Sequence, residues 1–265
     1  MTMRQRGITI IFEDDEIVVI NKPAGISVTG DRSGQDHILH VLGEQLGMAQ
    51  GLRLVHRLDK FTSGAMILAK TRDAQSKYSE LFAKRLVGKT YLALVAGRVS
   101  TCSGTITAPL AQDRHDSRRV RIDPKRGKTA VTGYRLLADF GGIALLAVTP
   151  KTGRTHQIRV HLASIGLPLA IDPLYAADRP IFLSQIKVGY RTKKDKPESP
   201  LIDRLTLHAY ELEVPCRQAQ TRTFVAPLDK KFAAAVKMLT KYNPLGMKVF
   251  ADPSTPAALL AGEPV

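Results

Sequence analysis

Cysteine is scarce in this chain: Cys102 and Cys216 stand alone, and neither has a neighbour at the spacing of a metal ligand. Two such thiols support neither a zinc site nor a disulfide framework, so both are expected to be reduced and structural. Long apolar runs are missing too, since no stretch approaches the roughly 20 residues needed to span a bilayer. The opening residues, MTMRQRGITIIFEDDE, turn acidic before any signal-like apolar core develops, and a cytoplasmic protein is expected. Acidic residues are in deficit, with 24 Asp and Glu against 39 Lys and Arg and a formal net charge of +15. That imbalance points to a polyanionic partner. A membrane surface is the competing polyanion, but no segment sets a basic face opposite a greasy one, which leaves nucleic acid as the leading partner. No Gly-rich phosphate loop and no metal cluster is present, so neither a metal nor a cofactor is expected.

What is present indicates a globular chain. A hydrophobic content of 44% over 265 residues suits one or two domains, and the absence of a strong linker before residue 240 makes one the simpler reading. Short strands are predicted at 8–12 and 17–20 around an acidic turn, followed by a Lys22-Pro23-Ala24-Gly25 turn. Helical spacing covers 35–48 and again Ala74, Tyr78, Leu81 and Phe82, with Gly88 as the expected end of the second helix. KTYLALVAG at 89–97 alternates with period two, placing Tyr91, Ala93 and Val95 on one face. Further strands are expected at 131–137, 143–149 and 205–214, and helices at 156–165 and 230–242. Strands dominate the middle without strict βαβ alternation, which predicts an α+β fold with a mixed, mainly antiparallel central sheet and flanking helices. Residues 1–243 form the expected catalytic domain, and 244–265 read as a loosely ordered tail. Two basic clusters stand out: Arg114, Arg118, Arg119, Arg121, Lys125, Arg126 and Lys128, and Lys187, Arg191, Lys193, Lys194 and Lys196 around Tyr190. Each is either a nucleic-acid contact or a solvated loop.

The segment HRLDKFTSG at 56–64 carries the sharpest chemical signal. Asp59 sits between Arg57 and Lys60, in positive potential that favours its ionised form, and an anionic Asp can act as base or nucleophile. Thr62, Ser63 and Gly64 are turn formers, and the apolar run AMILA that follows reads as a buried strand, so Asp59 lies on a loop beside a rigid element. A turn-capping Asp paired for stability is the plainer alternative. TGRTHQIRVH at 152–161 is a polar burst leading into a helix, with Thr152 or Thr155 as cap. Arg154 there either binds an anion at the helix start or pairs with a carboxylate. His156 and His161 are five apart, a spacing that favours structural or RNA-facing roles over paired metal ligation. Tyr91 either stacks on a base or simply packs.

In order along the chain, HRLDKFTSG with AMILAK, KTYLALVAG, TGRTHQIRVHLA, DPLY at 172–175 and LTLHAYELEVP from Leu205 resemble the successive motifs of RluA-type pseudouridine synthases, over residues 8–227. The resemblance implies an isomerase that detaches uracil from its ribose within ribosomal or transfer RNA, turns the base, and rejoins it through carbon 5. It implies that Asp59 is essential, whether it attacks sugar or base or removes the 2′ proton, that Tyr91 stacks on the target base and assists proton removal at carbon 5, and that Arg154 pairs with Asp59. Arg57 would fill the gap left by the flipped nucleotide, Leu207 would form part of the apolar pocket wall, and His56, Thr62, Arg118, Arg119 and Arg121 would complete the RNA contacts. The family pattern has glycines where this chain has Ile171 and Ala176. Many relatives also carry a small basic S4 module before the catalytic strands; here recognition is expected from the catalytic domain and its insertions, in a monomer. The competing reading is a catalytically idle RNA-binding protein or RNA chaperone that keeps the fold. A hydrolase using Asp59 with His56 or His156 lacks a recognisable nucleophile and base spacing.

Overall fold

A computed structural model of the chain describes residues 7–30, 36–48, 51–191, 197–216, 220–252 and 254–265. Gln35 of the expected first helix and Lys193, Lys194 and Lys196 of the second basic cluster lie outside these residues. The chain divides into two compact units, one from Met1–Thr90 and His208–Pro227, the other from Tyr91–Leu207 and Leu228–Glu263. The changeovers at Thr90 and His208 fall inside continuous strands, which is why no linker composition marks them.

In the first unit, β1 (Thr9–Glu13) pairs antiparallel with β2 (Ile17–Lys22), and β2 pairs antiparallel with β4 (Ser63–Ala69). The short β3 (Arg53–Leu54) adds to β4, and β11 (Leu207–Pro215) runs parallel to β4 through His208 and Ala209 while carrying β12 (Thr221–Val225) antiparallel. Every residue of β4 is buried, as its unbroken apolar run predicts. Helices α1 (Ile38–Gln45) and α2 (Arg72–Ala83) accompany these strands. Ala74 and Tyr78 of α2 pack into one core with Ile17, Val19, Ala65, Ile67 and Ala69.

Two glycines here are explained by close approach. At Gly64, with φ +114°, a Cβ would fall 2.0 Å from the Ala209 carbonyl oxygen, so the strand carrying HRLDKFTSG reaches β11 only without a side chain. Gly88 does not end α2 as expected: that helix closes at Lys84, followed by Arg85 in the left-handed region at φ 60°. Gly88 instead opens β5, where a Cβ would meet Glu213 Oε2 at 2.4 Å.

In the second unit, β5 (Gly88–Ala96, of which Tyr91 onward belongs here) pairs antiparallel with β10 (Ile143–Pro150). Strand β10 pairs with β9 (Val131–Asp139), and β9 with β6 (Ser103–Thr107), all antiparallel. Strands β7 (Leu110–Gln112) and β8 (Val120–Ile122) form a separate ribbon, and the first basic cluster lies on and around it. Helix α3 (Gln157–Ser164) sets Ile158 and Leu162 against Ala93, Val95, Leu146 and Val148. Beyond α4 (Lys230–Tyr242), the segment expected to be a loose tail is packed. It forms α5 (Thr255–Ala261), buries Val249, Phe250 and Leu259, and donates the Ala251 amide to the Leu137 carbonyl at 2.8 Å. The whole is a mixed α+β fold with a mainly antiparallel sheet flanked by helices. No helix among the described residues is long and apolar enough to cross a membrane.

Candidate active site

Asp59 opens a tight turn in the first unit, its carbonyl accepting the Thr62 amide at 3.1 Å. The turn is held from within by Lys22, whose side chain is fully buried at the end of β2. Its Nζ donates to the carbonyls of Pro23 (2.9 Å), Lys60 (3.1 Å) and Thr62 (2.9 Å), and the Gly25 amide also reaches the Lys60 carbonyl at 2.9 Å. Lys-Pro-Ala-Gly, read from sequence only as a turn, is thus the clamp on the Asp59 loop. The available signal was a lysine ending the apolar run IVVIN, an unusual place for an ammonium unless it is fully bonded.

The flanks of Asp59 are equally fixed. His56, expected among the RNA contacts, accepts the Ile67 amide on Nε2 at 3.0 Å and stacks on Phe82 at 4.2 Å between ring centres. Desolvation, with help from the Lys89 charge, lowers its pKa from 6.5 to about 3. It is therefore a neutral strut at physiological pH, since only the neutral ring can accept that amide. Ser63 Oγ lies 2.8 Å from His208 Nδ1, and His208 Nε2 lies 2.9 Å from the Ala226 carbonyl, so the ring donates to that carbonyl and Nδ1 accepts from the serine. Thr62 is buried, and Arg57 is exposed.

Tyr91 and Arg154 belong to the second unit. Tyr91 sits opposite Val148 on β10 and packs, half-buried, on the Ala93 and Val95 face that the alternation predicts. Leu207 is buried in the same cluster. Arg154 is half-exposed, its Nε donating to the Thr129 carbonyl at 3.2 Å. Neither threonine caps α3. The N-cap is His156 in the left-handed region at φ 52°, without a side-chain cap. The reason is Gln157, whose Oε1 accepts the Arg154 amide (3.0 Å) and the Thr152 hydroxyl (2.6 Å) while its Nε2 donates to the Val131 carbonyl and Thr132 Oγ1, both at 2.9 Å. His161 is buried between Thr132 Oγ1 and the Ala108 carbonyl, a structural placement.

Three stretches treated separately in sequence meet through Tyr175. Arg159 makes a buried two-bond pair with Asp172, at 2.8 and 2.7 Å, and Asp172 also accepts the amides of Leu174 and Tyr175. The Tyr175 hydroxyl accepts the Val120 amide at 2.7 Å and shares a second hydrogen bond with His156 Nδ1 at 2.9 Å. Its ring lies 5.0 Å from the Arg159 guanidinium and 5.4 Å from that of Arg119. Ile171 and Ala176, at the family's glycine positions, sit outside the left-handed region, and the Ala176 amide closes the loop on the Asp172 carbonyl. On the ribbon, Arg118 is paired edge-on with Asp116 and Arg121 with Asp123, so both guanidiniums are directed by local acids. Among the described residues, no group of three or more His, Cys, Asp or Glu is placed to hold a metal ion.

The sequence pattern of the RNA pseudouridylate synthases matches residues 16–164, which run from β2 through α3 and include Lys22, Asp59, Tyr91 and Arg154. The chain belongs to that family. It is 32% identical over 249 residues to a ribosomal large subunit pseudouridine synthase D of Borreliella burgdorferi, covering 91% of this chain and 71% of the relative. It is 37% identical over 239 residues to the Nitrosomonas europaea protein of the same description, covering 87% of this chain and 64% of that one, just under two thirds of its length. Among solved structures, human RNA pseudouridylate synthase domain containing 4 superposes with a TM-score of 0.65 at 29% identity, over 89% of this chain and 93% of the other. The family's members are isomerases acting on RNA.

Proposed function

We propose that this chain converts uridine to pseudouridine in ribosomal RNA of the large subunit, with Asp59 as the essential carboxylate. The observation that carries the reading is the Asp59 turn, whose backbone is held by the buried Lys22 at three carbonyls, a placement suited to a group that must meet a reacting atom. The reaction breaks the bond from ribose C1′ to N1 of uracil and forms one from C1′ to C5; the C5 proton departs and N1 gains one. Atoms balance without an external donor. Asp59 acts on the ribose or the base, Tyr91 stacks on the flipped uracil and assists removal of the C5 proton, and Arg154 supports the carboxylate. Arg57, exposed beside Asp59, fills the place of the flipped base, which offsets part of the few kcal/mol that unstacking costs.

The ribbon arginines Arg118, Arg119 and Arg121 supply backbone contacts. Transfer RNA shares the same chemistry, but the description of both relatives favours the ribosomal substrate. The exposed free thiols of Cys102 and Cys216 suit the reducing cytoplasm, where the protein acts as a monomer. Mapping pseudouridines in total RNA from cells with and without this gene tests the reading. Loss of a site in large-subunit ribosomal RNA is expected. An unchanged map would favour an RNA-binding role without catalysis.

A further inference from the structure

We infer that Phe61 is a stacking platform for a nucleobase neighbouring the target uridine, an aromatic contact additional to Tyr91; the inference rests on RNA being the substrate. Phe61 follows Asp59 by two residues and is 47% exposed, the one exposed Phe or Tyr among the described residues. Phenylalanine is normally drawn into a core, and the flanking Leu58 and Thr62 are both buried here. The ring is not on a loose loop. Asp59, Lys60, Phe61 and Thr62 form the turn closed by the Thr62 amide on the Asp59 carbonyl. The carbonyl just before Phe61, that of Lys60, is held by both Lys22 Nζ and the Gly25 amide. The backbone that aims the ring is therefore fixed by the same clamp that fixes Asp59, and little order remains to be gained when a ligand arrives.

A uridine delivered to Asp59 brings its chain neighbours to this turn. Single-stranded RNA offers splayed bases whose faces stack on aromatic rings with little regard to sequence, while a paired base in a helix has both faces covered. Phe61 thus selects for an unpaired neighbour, not for a particular base.

The chain contains no tryptophan, so Phe61→Trp creates a single fluorophore at the turn. The probes are a fluorescein-labelled single-stranded oligoribonucleotide with one uridine among adenosines, and a fully paired RNA duplex of equal length. Anisotropy reports binding, and tryptophan emission reports stacking. Saturating single strand is expected to quench Phe61→Trp strongly and the duplex to leave it nearly unchanged. Phe61→Ala and Phe61→Leu should each weaken single-strand binding roughly tenfold or more while duplex affinity stays within about twofold. Full emission at saturation, wild-type affinity in Phe61→Leu, or failure of the wild type to bind the single strand would each overturn the inference. Release of tritium from C5-labelled uridine separates it from the isomerase reading. Quenching without any pseudouridine formation would refute the latter alone, and pseudouridine formation without quenching would refute only the role of Phe61.

Discussion

Replacing Asp172 with asparagine probes the network that joins α3, the DPLY loop and the basic ribbon. The side chains of Arg159 and Asp172 are only 5% and 1% exposed, so water cannot take the place of either partner. In Asp172→Asn, one carboxylate oxygen that accepts from the guanidinium becomes an amide donor facing a donor. Breaking a buried pair from one side costs about 3–5 kcal/mol, because the remaining charge stays out of water. For a chain of this size each kcal/mol moves Tm by about 2–4 °C, so the expected fall is roughly 6–20 °C. Removing both charges is a different perturbation: Arg159→Met with Asp172→Leu should recover most of the loss, since a well-packed apolar pair avoids the desolvation cost altogether. Thermal and urea unfolding followed by circular dichroism on Arg159→Met, Asp172→Leu, their double mutant and the wild type complete the cycle, with Asp172→Asn measured beside them. A fall of less than about 2 °C for Asp172→Asn, or strictly additive single mutants, would refute the claim that this pair organises the unit.

His56 has a folded-state pKa of about 3 against an ordinary 6.5, so between those values the unfolded chain binds a proton that the folded chain does not. Stability should therefore fall as pH is lowered from 6.5 toward 3, and His56→Gln should flatten that slope by up to about 1.4 kcal/mol per pH unit; equal slopes in the two proteins would contradict the assignment. Lys22→Met fills similar volume but leaves the carbonyls of Pro23 and Thr62 without the ammonium, removing charge-assisted bonds of about 1.5–3 kcal/mol each. Turnover should drop with RNA affinity little changed, and the reverse pattern would remove Lys22 from its positioning role. Neutralising Arg118, Arg119 and Arg121 should make the slope of log affinity against log salt shallower by about 0.7–0.9 for each phosphate no longer neutralised, and an unchanged slope would show that the ribbon does not touch RNA.

Where local pattern decides structure, the sequence was legible: β4 from an unbroken apolar run, α4 to its terminal residues, and the Tyr91 face of β5 from its alternation. Local readings went astray where a distant partner decides. Gly88 looks like a helix stop until Glu213 arrives beside it, and Thr152 looks like a cap until Gln157 folds back upon it. The terminal segment reads as loose because it is rich in Pro and Ala. Yet Pro256 lies in the first turn of α5, where a missing amide costs nothing, and Gly262 closes the helix at φ 72°. The family was legible in the motifs. The supporting contacts were not, because Lys22 reaches its loop across some forty residues of sequence and Arg159 finds Asp172 in what reads as a separate motif.

The central claim is that Asp59 carries the isomerisation of uridine. RNA transcribed with tritium at uridine C5, in the form of large-subunit ribosomal RNA, should release label to water with the wild-type protein and not with Asp59→Ala, while both proteins bind that RNA alike. Release of label by Asp59→Ala at the wild-type rate would contradict the account.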